Sequence, residues 1–204
     1  MIDQALQAAT PVSSALVPRL LTQTGGKFRD NAILVFVGVL TIGLLAQIQI
    51  PFSFTPIPIT GQTLGVALIA LLFGRVRAVS VVAAYLALGA VGTPLFATTT
   101  TGAGFGPNAG YLLGMLLAAF AMGHLADRGW TRSFRTAWLA TFLGSVITFT
   151  FGLTALSFFV PKSALFAWGF FPFVPGDIAK TLIAAFVVSQ VSKAAGKSAQ
   201  DHAI

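Results

Sequence analysis

Six apolar stretches, separated by short polar or proline- and glycine-rich connections, organise the chain: residues 31–50, 60–73, 78–96, 108–125, 137–160 and 176–191. Crossing about 30 Å of hydrocarbon takes about 20 apolar residues at 1.5 Å rise each. The pattern therefore predicts an all-α, polytopic membrane protein with six transmembrane helices. The second and last stretches are short, and the fifth is long enough to tilt. Ahead of them, residues 1–30 carry Asp3 and two prolines before the basic residues and lack a small-residue cleavage pattern, so no removable signal peptide is expected. Ile2 to Leu21 is weakly amphipathic, compatible with lying on a membrane or with disorder.

Composition sharpens this reading. The chain has 204 residues, of which 56% are hydrophobic and 8% charged, and a mean hydropathy of +0.88, outside the range of an ordinary soluble domain. Without cysteine there is neither a disulfide nor a thiolate metal site. The net charge of +7 would admit nucleic acid as a partner only if the cations formed a patch, and they mark connections instead. Arg19, Lys27, Arg29, Arg75, Arg77, Arg128, Arg132, Arg135, Lys193 and Lys197 all fall on one side of the six-span plan, with Lys162 alone on the other. By the positive-inside rule both termini are cytoplasmic. The division that follows is a cytoplasmic segment 1–30, a membrane domain 31–192 and a cytoplasmic tail 193–204.

The twelfth cation, Lys180, lies inside the last span, three residues after Asp177. An ionised group at membrane depth is costly unless it is paired or faces a polar cavity. Positions three apart share a helix face, and the free N–H groups of a helix start add donors nearby. Spans two, four and six all begin at the outer side, which brings Gln62, Asn108, Tyr111, Asp177 and Lys180 to one level. Above them lie three uncharged outer connections: Pro51 to Ile59, with three prolines that forbid a helix interior; Thr98 to Pro107, rich in glycine; and Pro161 to Pro175, rich in Phe and Trp. Such connections are suited to folding over a small, polar-headed molecule. Plainer readings exist for the same residues: a self-neutralising ion pair, an N-cap at Asp177, interfacial tyrosines at Tyr85 and Tyr111, and local backbone partners for Asn108 and Gln62.

Spacing of small residues predicts close helix packing at Gly61/Gly65, Ala83/Ala87 and Gly110/Gly114/Ala118, within the bundle or against a partner subunit. Other signals fail on context. Gly104 to Ala109 fits G-x-G-x-x-A but lacks the strand and soluble βαβ unit of a dinucleotide site. Gly196-Lys197-Ser198 lacks the first glycine of a phosphate loop, so any ATP drive must come from another chain. His124 and His202 are the only histidines and Ser145 has no G-x-S-x-G context, so neither an enzyme nor a metal site nor a cofactor is expected.

Four blocks, Pro56-Ile57-Pro58-Ile59-Thr60-Gly61-Gln62-Thr63, Tyr85 to Phe96, Gly106 to Gly114 and Pro175-Gly176-Asp177-Ile178-Ala179-Lys180, taken in order over residues 31–192, resemble the BioY family, the biotin-binding S components of energy-coupling factor (ECF) transporters. The resemblance implies a prokaryotic plasma-membrane subunit that captures biotin at the outer face with high affinity. Its partners would be a transmembrane coupling subunit and ATPases, or it would act alone. On that reading Asp177 and Lys180 anchor the ligand, with Asn108, Tyr111, Gln62, Tyr85, Phe52 and Phe105 around them. Asp177 would accept ureido N–H bonds, while Lys180 would donate to the ureido oxygen or to the carboxylate. One departure concerns docking: the Ala-x-x-x-Ala of the first span is missing, Ala32 and Ala46 being followed four positions on by Phe36 and Ile50, which leaves Gly38 and Gly43 as candidates for close approach. The alternatives are an S component for another carboxylated vitamin, or a structural or channel-like protein with an architectural ion pair.

Overall fold

Helix boundaries fall where the backbone meets proline, or glycine with positive φ. A computed structural model describes residues 27–96 and 106–201. Its order is α1 (Lys27–Gln47), β1 (Gln49–Ile50), β2 (Ile59–Thr60), α2 (Gln62–Phe73), α3 (Arg75–Ala90), α4 (Ala109–Asp127), a 3₁₀ turn (Trp130–Arg132), α5 (Phe134–Leu156), α6 (Leu165–Gly169) and α7 (Val174–Asp201). Pro51, Pro56 and Pro58 keep the first connection non-helical. Its flanks instead pair as a minimal antiparallel ribbon, Gln49 opposite Thr60 and Ile50 opposite Ile59. The Gly61 N–H closes this ribbon against the Leu45 and Ile48 carbonyls, at 3.1 and 2.9 Å.

Gly74, at φ 77°, separates α2 from α3, and the Asp127 carboxylate at the end of α4 accepts the Arg75 N–H at 3.1 Å. An acidic acceptor at a helix start satisfies one orphan donor and complements the dipole. Ser133 caps α5, accepting the Thr136 N–H at 3.5 Å.

Three expectations are corrected. The two short strands make the fold predominantly, not purely, helical. The third stretch leaves its helix at Ala90, six residues early, because Gly92 adopts φ 88°. The connection Pro161 to Pro175, predicted as irregular, contains a helix of its own, α6. The predicted segment 1–30 lies largely outside the described residues, as do Phe105, His202 and most of the glycine-rich connection.

Four helical segments, Arg29–Gln47, Ala109–Asp127, Phe134–Leu156 and Leu165–Ala195, are long and apolar enough to cross a membrane. The outer surface agrees with a lipid surround: Phe36 is 62% exposed, Leu44 71% and Phe186 56%, whereas Ile42, Val81, Tyr85 and Val188 are completely buried. Apolar surface on this scale is stable against acyl chains and not against water. The protein is a multi-pass membrane protein.

Small residues set the helix spacing. A Cβ on Gly110 would strike the Phe151 carbonyl and the Ala155 side chain, and one on Gly114 would sit 2.9 Å from the Thr148 backbone, so α4 and α5 touch nearly backbone to backbone. Gly65 performs the same service between α2 and α1, facing Ile42 and Leu45. Ala83 and Ala87, in contrast, are exposed on α3. Gly38 and Gly43 do not form an outward docking face: both are buried, packed on Val81 and Leu95.

Candidate functional site

Helices α2, α4, α5 and α7 surround a cavity whose space free of protein atoms is about 930 Å³, the open solvent at its entrance included. Along α4 its wall is formed by Asn108, Tyr111, Met115, Ala118 and Met122, with Leu112 beside them, and the spacing of three and four keeps this face inward over about 21 Å. Gln62, Thr63, Val66 and Ala67 line it from α2, and Thr141, Gly144, Ser145 and Thr148 from α5. Asp177, Lys180 and Thr181 come from α7, while Ile57, Pro58 and Phe173 contribute from the connections. Its polar groups come from Gln62, Asn108, Ser145, Asp177, Lys180 and threonine hydroxyls, and the rest of the wall is apolar.

Asp177 and Lys180 both face this cavity, and neither takes its hydrogen bonds from the other. Lys180 Nζ and the Asp177 carboxylate oxygens do not approach within the 4.0 Å of an ion pair, a distance that Arg29 and Asp30 do reach, at 3.9 Å. Ser145 donates its hydroxyl to Asp177 Oδ1 at 3.0 Å. Lys180 Nζ donates to the Thr60 carbonyl and to Thr63 Oγ1, each at 3.0 Å. Helix α7 begins at Val174, which puts Asp177 in its first turn rather than at its N-cap. The pair is thus two separately held groups of opposite charge. A carboxylate with an acceptor oxygen left over and an ammonium with a third N–H left over stand side by side at the mouth of an apolar shaft.

The remaining sequence candidates divide. Gln62, only 6% exposed, lies in the wall: Thr60 donates to its Oε1 at 2.9 Å and its Nε2 donates to the Tyr85 hydroxyl. Asn108 lies in the wall and does not cap α4 with its side chain. Tyr111 presents its ring to the cavity between Phe149 and Phe173, and its hydroxyl donates to the Gly169 carbonyl of α6 at 2.7 Å. Tyr85 is not part of the wall; it is completely buried behind Gln62 and donates to the Leu95 carbonyl at 3.1 Å. Phe52 is also outside the wall, stacked on Phe54 at 5.1 Å between centroids. Phe105 lies outside the described residues.

Sequence reasoning passed over Thr60, Thr63 and Ser145, which hold the charged groups. Thr60 and Thr63 stand within the same block as Gln62, a spacing signal that was available. The cover was also only partly foreseen: Thr55, in the first connection, donates to the Trp168 carbonyl of α6 at 2.9 Å, tying the two aromatic connections together over the mouth.

Chemically, the site can accept hydrogen bonds through a carboxylate, donate them through an ammonium and an amide, and bury an elongated apolar body beneath. Among the described residues no group of three His, Cys, Asp or Glu side chains could hold a metal ion.

Known proteins resemble this chain in sequence and fold. A solved crystal structure of the S-component for biotin from an ECF-type ABC transporter superposes with a TM-score of 0.74 at 26% identity, covering 83% of this chain and 94% of its own. The biotin transporter BioY of Thermotoga maritima is 35% identical over 163 residues, 78% of this chain and 92% of that protein. Its counterpart from Rhodobacter capsulatus is 32% identical over 180 residues, 76% and 93% of the two chains. Residues 18–197 match the sequence model of the BioY family, and with relatives so nearly full-length the conclusion is direct: this chain belongs to the BioY family.

Proposed function

We propose that this protein is the biotin-specific S component of an ATP-driven vitamin importer in a prokaryotic plasma membrane, and not an enzyme. On this reading six transmembrane helices lie within residues 31–192, both termini are cytoplasmic, 1–30 and 193–204 are cytoplasmic segments, and biotin is captured from the outer face. A transmembrane coupling subunit and ATPases supply the drive. The observation that carries this reading is the placement of Asp177 and Lys180: both reach the cavity and each is held from another helix instead of by its neighbour. Biotin matches the donor set, because its cyclic urea offers two N–H groups and one carbonyl, while its thioether ring and chain are apolar. Gln62, Asn108 and Tyr111 complete the binding surface. The relatives named for biotin transport support the choice of ligand.

Titration of the purified protein with biotin, riboflavin and thiamine, followed by thermal shift and tryptophan fluorescence, tests it. Stabilisation by biotin alone is expected. A response to another vitamin with none to biotin would reassign the ligand, and no response to any would overturn the reading.

A further inference from the structure

Tyr85 lies outside the cavity, yet one of its hydrogen bonds reaches the wall, and the direction of that bond is forced. The Leu95 carbonyl can only accept, so the Tyr85 hydroxyl, 3.1 Å away, must donate its single proton there. The phenolic oxygen is then left as an acceptor, and Gln62 must turn its NH₂ toward it. Gln62 Oε1 in turn points to Thr60, whose hydroxyl donates to it at 2.9 Å, while the Thr60 carbonyl accepts from Lys180 at 3.0 Å. A backbone carbonyl in the segment that follows α3 thereby dictates, through two side chains, which end of an amide is shown to the cavity. The donor not used by Tyr85 is the second N–H of Gln62.

We propose that Tyr85 is a positioning residue: it locks the Gln62 amide in the one orientation that presents an N–H to the bound ligand's carbonyl oxygen. The proposal rests on the biotin reading and deepens it, since the ligand carbonyl concerned is that of the cyclic urea or of the carboxylate. Without the Tyr85 oxygen, the amide loses the partner that distinguishes its two ends. It is then free to rotate and to place an acceptor oxygen against the ligand's own acceptor. The Tyr85 ring contributes separately, packing on Phe96 at 5.3 Å, so removal of the hydroxyl alone leaves that contact in place.

The test is a double-mutant cycle on the full chain in detergent or nanodiscs, with biotin as the titrant and melting without ligand as the control for folding. Tyr85→Phe is expected to weaken biotin binding roughly tenfold, the scale of one buried donor left unmatched. Gln62→Met should weaken it at least as much, and in the Gln62→Met background Tyr85→Phe should have no further effect on Kd. A merely structural Tyr85 would lower the melting temperature by the same amount in both backgrounds and leave Kd untouched. Unchanged affinity in Gln62→Met overturns the proposal even where Tyr85→Phe fails to fold, and additive losses in the cycle overturn it as well. If the unmutated protein does not bind biotin, it is the assignment of function that fails.

Discussion

Replacing Asp177 and Lys180 singly and together asks whether their charges serve a ligand or each other. An architectural pair makes a definite demand: removal of one partner strands a buried charge at about 3–5 kcal/mol, and removal of both relieves it. The geometry argues for a different outcome. With no approach inside the ion-pair distance, direct attraction is bounded by roughly 1 kcal/mol at 4 Å in water and roughly 4 kcal/mol at an effective dielectric of 20. Each group also keeps its own scaffold: Asp177→Asn retains an oxygen for the Ser145 hydroxyl, and Lys180→Met frees the Thr60 carbonyl and Thr63 hydroxyl to face water in the cavity. Each single change is therefore expected to raise Kd for biotin by tenfold or more, about 1.4 kcal/mol or above. Ligand-free stability should drop by no more than about 1–2 kcal/mol. The double variant should bind more weakly than either single one. The assay is a biotin titration paired with chemical or thermal unfolding of the same preparations. Singles that unfold readily while the double variant recovers native stability would refute the reasoning, because only mutual neutralisation produces that rescue.

Ser145→Ala removes the donor that aims Asp177 and should weaken biotin binding about fivefold to tenfold while leaving the melting temperature nearly unchanged, read by the same titration. Thr55→Val cuts the tie between the first connection and α6, so stopped-flow tryptophan fluorescence should show faster biotin release, with an unaltered off-rate counting against a covering role. Gly152→Ala drives a methyl into the Tyr111 ring. A loss of about 1–3 kcal/mol in stability, with weakened binding, is expected on melting and titration. The absence of native cysteine makes topology accessible: Lys162→Cys should react with an impermeant maleimide in intact cells and Arg128→Cys only after lysis.

Charge in an apolar setting is legible from one sequence, which is why Asp177 and Lys180 stood out before any coordinates. Hydroxyls are not. Thr41, Thr150 and Thr154 bond to the carbonyl four residues back, the ordinary local solution in an apolar helix, and nothing in their sequence surroundings separates them from Ser145 or Thr63, which reach another helix. Tyr85, a candidate through the family resemblance, sits one layer behind the wall, a placement that a hydrophobic run does not disclose because it does not say which side of α3 meets α2. Hydropathy located all six long helices but misplaced the end of α3, since Val91 to Phe96 remains apolar after Gly92 has turned the backbone. The α6 helix was obscured because its five residues are too few to show a period.

Helix α2 has twelve residues, eight of them buried, and so covers only about 18 Å. Lipid never has to adapt to that deficit, because neighbouring helices encase it. The segment leading into α2 has backbone partners of its own near that helix, the Gly61 N–H bonding to the Leu45 and Ile48 carbonyls and the Ile57 N–H to the Thr55 hydroxyl. Polar groups such as Gln62, gathered in a recess walled by α2 and its neighbours, are withdrawn from bulk solvent, where each contact counts for more than it would on an aqueous surface.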